Sequence, residues 1–151
     1  MITDDHGKRS SWLAALRVYL LLSAAAHATW EVAHLPFYTI WRNGTWRDIA
    51  FAAVHCSAGD VMIAALALVL ALLLFGSERW PLDRVRPVLV ATLVFGIGYT
   101  IFSEWLNVTV RGSWAYTSLM PVLPVLGTGV TPLLQWIIVP LVAMRMALGP
   151  R

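Results

Sequence analysis

Long apolar runs alternate with short polar stretches along the whole chain. Several runs approach or exceed the roughly 18–20 apolar residues that carry a helix across a bilayer. They predict spans over about 16–38, 49–75, 88–110 and 131–147. Pro36 is placed to end or kink the first span. Asn43-Gly44 signals a turn before the second, with Trp41 and Trp46 suited to the headgroup layer. The stretch 76–87 is a charged loop. The stretch 111–131 is different: Pro121, Pro124, Gly127 and Gly129 oppose a long straight helix there. A broken or re-entrant segment packed against protein is expected before the last helix. The fold class that follows is all-α, a polytopic transmembrane four-helix bundle, with residues 1–151 as a single integral membrane domain.

Polar positions inside these runs are few and patterned. His27, Glu31 and His34 stand at i, i+4 and i+7, so one helix face carries two imidazoles and a carboxylate. Thr100, Glu104 and Asn107 repeat that spacing in the third span. His55 and Asp60 lie in the first half of the second span, and Gln135 and Trp136 in the first half of the fourth. Tyr99 falls near the middle of the third. Ionisable groups at membrane depth are costly and mark a functional site by default. Gly96 and Gly98 are expected to permit close helix contact.

Composition and charge sharpen this picture. The chain is 59% hydrophobic and 13% charged, with mean hydropathy +0.72, where a soluble domain is about a quarter charged. The net charge of +3 sits beside the spans, so it orients the protein rather than binding nucleic acid. Eight of the eleven Lys and Arg fall on the side shared by the N-terminal tail, the loop at 76–87 and the C-terminal tail. Both termini are therefore expected in the cytoplasm, in a bacterial inner membrane. That topology places every intramembrane ionisable residue in the outer half and leaves Leu, Val and Ala in the other. The polar stripes on spans 1 and 3 are expected to face one outward-opening pocket. Lys8, Arg9 and Arg17 with Ala26-His27-Ala28 imitate a signal peptide, but Val18–Leu22 is short for its apolar core, so an uncleaved first span is expected. Cys56 is the single cysteine. No intramolecular disulfide is possible, which excludes the small quinone-coupled thiol oxidases.

Three chemistries are open to such a pocket. His27, Glu31, His34, His55 and Glu104 could supply ligands to a metal, and Glu31-x-x-His34 is half of a carboxylate-bridged di-metal motif. Copper or haem ligation by histidine pairs stays open as well. Alternatively, a carboxyl and an imidazole in an apolar cavity act as acid and base on a lipid-soluble substrate. His27, Glu31 and Glu104 are then the catalytic candidates, with His34, His55, Asp60, Tyr99, Asn107, Gln135 and Trp136 as substrate-binding ones. A third class is a non-catalytic accessory subunit of a larger membrane complex, or a homo-oligomer that binds lipid. Plain structural roles compete throughout, since His27, Asp60 and Gln135 can serve as hydrogen-bond groups between helices.

The His27-x-x-x-Glu31 spacing, Gly98-Tyr99 and the Gln135-Trp136 to Pro140 ending resemble the emopamil-binding, or EXPERA-type, family of small helical membrane proteins. The resemblance implies a four-helix core with a lipid-filled cavity. It implies His27 and Glu31 lining that cavity, and a sterol-isomerase-like protonation of a double bond. The partners it implies are membrane lipid and an apolar isoprenoid- or sterol-like ligand. The stretch from Trp114 to Trp136 is similar to bacterial four-span membrane proteins.

Overall fold

In a computed structural model, residues 3–149 are described, with side chains from Trp12 onward. The described chain is helical with no named strand. Helix α1 spans Thr3–His34, and Leu35–Phe37 closes it as a 3-10 turn with Pro36 at its start. A one-turn helix α2 covers Ile40–Asn43, and α3 spans Trp46–Phe75. Helix α4 runs Val85–Glu104 and continues as a π-helix over Trp105–Val110. Helix α5 spans Val130–Leu148. Four helical segments are long and apolar enough to cross a membrane.

Local signals set the helix ends. The ring of Pro36 removes the N–H that a further turn of α1 would need. Thr45 opens α3 with a capping box: Asp48 N–H donates to Thr45 Oγ1 at 3.3 Å, and Thr45 N–H donates to Asp48 Oδ2 at 2.9 Å.

The helices form a ring in which α1 packs on α3 and α5, and α4 packs on the same two. Helices consecutive in the ring are consecutive spans in the chain, the up-and-down arrangement of short-loop bundles. One end of the interior is apolar, with Tyr19, Leu68, Val88 and Met144 packed around Trp80. Trp80 lies in the loop at 76–84 and is only 2% exposed. What reads as a charged loop therefore also plugs the bundle. Arg79 and Asp83 pair at 3.1 Å on its outer side, and Ser77 donates to the same carboxylate.

The other end is covered by residues 111–129, which are irregular. Two backbone bonds stitch this segment to the turn after α1: Thr39 N–H to Ala115 C=O and Thr117 N–H to Phe37 C=O, both 2.9 Å. A small turn follows, held by Leu123 N–H to Thr128 C=O at 3.0 Å and Val130 N–H to Pro121 C=O at 2.8 Å.

The two glycines of α4 differ. A Cβ on Gly96 would stand 2.2 Å from Trp136 Cε3, so only glycine admits the buried indole at this crossing. Gly98 has nothing within 4 Å, and the expectation that it serves a close helix contact is corrected. Two residues along a helix turn the side chain about 200°, so both could not face α5.

Gly96→Ala should therefore lower stability by about 1–3 kcal/mol through overpacking. Gly98→Ala should stay within about 0.5 kcal/mol of the wild type. Thermal unfolding of the two variants in one detergent, followed by tryptophan emission, checks the contrast.

Candidate functional site

The face His27, Glu31, His34 of α1 turns into the bundle. The three residues are 0%, 8% and 6% exposed. Gln135 of α5 meets them. Its Nε2 lies 2.9 Å from His27 Nδ1, 3.1 Å from Glu31 Oε1 and 2.8 Å from Asp60 Oδ2 of α3. His27 Nδ1 is also 3.5 Å from Asp60 Oδ2, and His34 Nε2 is 3.2 Å from Glu31 Oε2. One amide thus joins three helices. An amide nitrogen has two hydrogens, and three acceptor atoms surround this one. The amide can satisfy two of the three, and the third lies beside it without a hydrogen from this amide. Among the described residues no lysine or arginine is ion-paired with this group.

A cavity of about 890 Å3 opens beside the cluster. Glu31, His34, Asp60 and Gln135 lie on one wall, and Thr100, Glu104 and Asn107 on the other. Residues of both stripes thus line one cavity. Asn107 belongs to the π-helix and donates to Ser103 C=O at 2.9 Å. The wider turn lets the chain leave α4 with Arg111 N–H bonded to Leu106 C=O at 2.8 Å. Apolar surface comes from Leu35, Phe51, Ile63 and Trp136.

Several expected site residues take other places. His27 does not line the cavity; it stands behind Gln135, its ring 5.0 Å from that of Trp136. His55 is exposed and stacks on Phe51 at the cavity edge, 5.4 Å away and 15° from parallel, instead of joining Asp60. Tyr99 is 46% exposed and packs edge-on to Phe102, at the rim. Among the described residues no three His, Cys, Asp or Glu side chains are arranged to hold a metal ion. The residues expected to share one (His27, Glu31, His34, His55 and Glu104) form no such group. The centre of the His27, Glu31 and Asp60 atoms is occupied by the Gln135 amide nitrogen.

Tyr116 and Tyr38 are site residues that sequence reasoning passed over. Tyr116 donates its hydroxyl proton to Glu104 and accepts Gly129 N–H at 2.9 Å. A Cβ on Gly129 would sit 3.2 Å from Tyr116 Cζ and 2.8 Å from Met120 Sδ, so the glycine allows both side chains to close on the backbone here. Tyr38 bridges the walls, its ring 5.2 Å from His34 and 5.5 Å from Tyr116. Burial, and then the hydrogen bond to Glu104, push the Tyr116 phenol above its ordinary range. Tyr38 is the last residue of the first predicted span and Tyr116 lies outside the spans, and no spacing pairs either with Glu104.

Comparison of the chain with known protein families, curated proteins and solved structures finds no match.

Gln135→Leu keeps the volume but leaves two or three buried acceptors without a donor. It should cost about 2–5 kcal/mol, read as a drop in the thermal unfolding midpoint. Asn107→Ala, on the cavity's other wall, should shift that midpoint far less.

Tyr116 gives a pH prediction. Its folded pKa is raised above the unfolded phenol value of 10.0. The stability it contributes is therefore complete below pH 10 and is lost as pH climbs toward the folded value. Tyr116→Phe should unfold at a less alkaline-sensitive midpoint than the wild type above pH 10, and should show no such difference at neutral pH. Unfolding midpoints measured across that range check it.

Proposed function

We propose that the protein is an integral membrane protein whose cavity holds an apolar, isoprenoid- or sterol-like molecule and carries out acid–base chemistry on it. The supporting observation is the placement of Glu31 and Glu104 on opposite walls of a cavity of about 890 Å3. Sites of roughly 300–1,000 Å3 with apolar walls and a few convergent polar groups suit small-molecule ligands. Glu104, in contact with the Tyr116 hydroxyl, is the proton donor to the ligand. Glu31, held by His34 and Gln135, receives a proton from a neighbouring carbon. A double bond then shifts position with no net gain or loss of protons. His27 and Asp60 position Glu31 through the shared amide, and Tyr99 and Phe51 guide the apolar body at the rim.

This reading carries the emopamil-binding resemblance forward as a proposal, with His27 moved from a lining residue to a positioning one. The distribution of Lys and Arg supports termini in the cytoplasm and a cavity that opens outward in a bacterial inner membrane.

Native mass spectrometry of protein extracted from its own membrane tests the proposal. The expected result is a bound apolar small molecule, lost in Gly59→Leu. Gly59 lines the cavity with nothing within 4 Å of a built Cβ, so there is room for a leucine whose bulk enters ligand space. Incubation in heavy water should add deuterium to the recovered molecule in the wild type and not in Glu104→Gln. A wild type with no adduct sinks the proposal, and an adduct without deuterium exchange reduces it to binding.

A further inference from the structure

A second hollow, of about 500 Å3, lies in the seam between α3 and α4. Ile63 and Tyr99 line both it and the cavity, so the two spaces adjoin at those side chains. Its walls are two ridges. Met62, Leu66 and Leu70 stand at i, i+4 and i+8 on α3, and Val94, Gly98 and Phe102 repeat that spacing on α4. The middle of the second ridge is therefore a glycine, with nothing within 4 Å of a built Cβ. The missing side chain hollows the seam into a groove about 12 Å long.

Groove and cavity differ in polarity. The side chains lining the groove are apolar apart from the Tyr99 hydroxyl. Met62, Leu66, Val94 and Phe102 are each more than half exposed, and they lie well inside two spans, so hydrocarbon surrounds them. The cavity leads the other way to Asn43, Asn107, Arg111 and Ser113, which make a polar mouth. A molecule seated between Glu31 and Glu104 can send a long hydrocarbon tail in either direction. Through the mouth, the tail crosses polar groups and reaches water, which is unfavourable for apolar surface. Between Ile63 and Tyr99 it stays in apolar surroundings along its length.

We propose, resting on the ligand reading of the cavity, that the bound molecule is an open-chain isoprenoid amphiphile whose tail passes between Ile63 and Tyr99 into the α3–α4 groove, so that it enters and leaves sideways from the bilayer. This narrows the ligand class. A flexible chain can turn from the bundle interior to the outer seam, and a rigid fused-ring body cannot. The groove adds little affinity, because lipid chains are as apolar as its walls. It supplies the route, and the head held in the cavity keeps the tail at a high local concentration there.

The test uses full-length protein in phosphatidylcholine–phosphatidylglycerol vesicles and farnesol that carries a diazirine at its hydrocarbon end. After irradiation, peptide mass spectrometry maps the labelled residues. Label on Met62 and Phe102 should exceed that on Leu21 and Val32, which are 72% and 60% exposed on α1 and report chance contact with probe dissolved in the lipid. Gly98→Leu restores the missing part of the ridge and should lower the groove label to that background. Gly59→Leu, which takes up the room for the head, should do the same, because the tail is held through the head alone.

Wild-type groove label no higher than background would overturn the proposal. So would groove label undiminished in Gly98→Leu, or label that survives Gly59→Leu, which makes the seam a site for bulk lipid. Should Gly98→Leu not fold, Leu66→Trp decides: it fills the groove from the opposite ridge at a 61% exposed position, and undiminished label at Met62 and Phe102 overturns the proposal equally. Failure of the cavity reading looks different. A wild-type native mass spectrum without an adduct sinks both readings. An adduct that Gly98→Leu retains, with no groove label, removes the tail route and leaves the cavity reading standing.

Discussion

The polar face of α1 can be satisfied only by other helices, because the hydrocarbon interior offers no water. Gln135 meets that constraint. Its amide nitrogen reaches His27, Glu31 and Asp60 within 3.1 Å and so holds α1, α3 and α5 in one rotational setting. The neighbouring residue extends the tie to the fourth member of the ring. Trp136 drops into the notch at Gly96 of α4 while its ring also meets His27. Two adjacent side chains on α5 therefore fix all four helices, one through hydrogen bonds and one through close packing. Displacing either would rotate a wall of the cavity.

The bundle divides its interior by depth. Near the 76–84 loop, apolar side chains pack around Trp80 and exclude bulk solvent. Toward the 111–129 segment, the interior opens into the cavity, and the covering chain is bonded rather than merely laid over it. Its attachment has two parts: backbone bonds to the turn after α1, and the Tyr116 hydroxyl between Glu104 and Gly129. The second part makes the cover responsive to the protonation of a residue inside the span, since a neutral Glu104 binds a phenol less strongly than a carboxylate does.

Much of this was legible in the residues. A bilayer imposes a helix length, so four spans could be read from hydropathy alone. Helical periodicity placed Glu31 and His34 on one face and Thr100, Glu104 and Asn107 on another, and depth put them level with Asp60 and Gln135. Rotation was read less well. His55 and Asp60 are five residues apart, about 140° around a helix, so only one of them could face the cluster. The same arithmetic separates Gly96 from Gly98. Three features had no local signature: the roles of Tyr38 and Tyr116 depend on how one loop crosses another, the π-helix depends on how α4 is released into that loop, and the burial of Trp80 depends on the bundle having an open end. The capping box at Thr45 and Asp48 was readable but went unread.

The proton count of the cluster explains why the site is built from weak acids and bases. Two carboxylates and an imidazole converge on a donor with only two hydrogens, with no lysine or arginine ion-paired to them among the described residues. A fixed cation at that depth would satisfy the carboxylates permanently and leave nothing to exchange. The neutral amide of Gln135 meets them instead, which leaves the cluster free for the proton exchange proposed above. His27 stands at the inner edge of that cluster. Its Nδ1 belongs to the cluster, and its Nε2 has no hydrogen-bond partner in the protein. Its complete burial removes it from contact with a ligand, so it bears on the cavity only through Gln135 and Asp60.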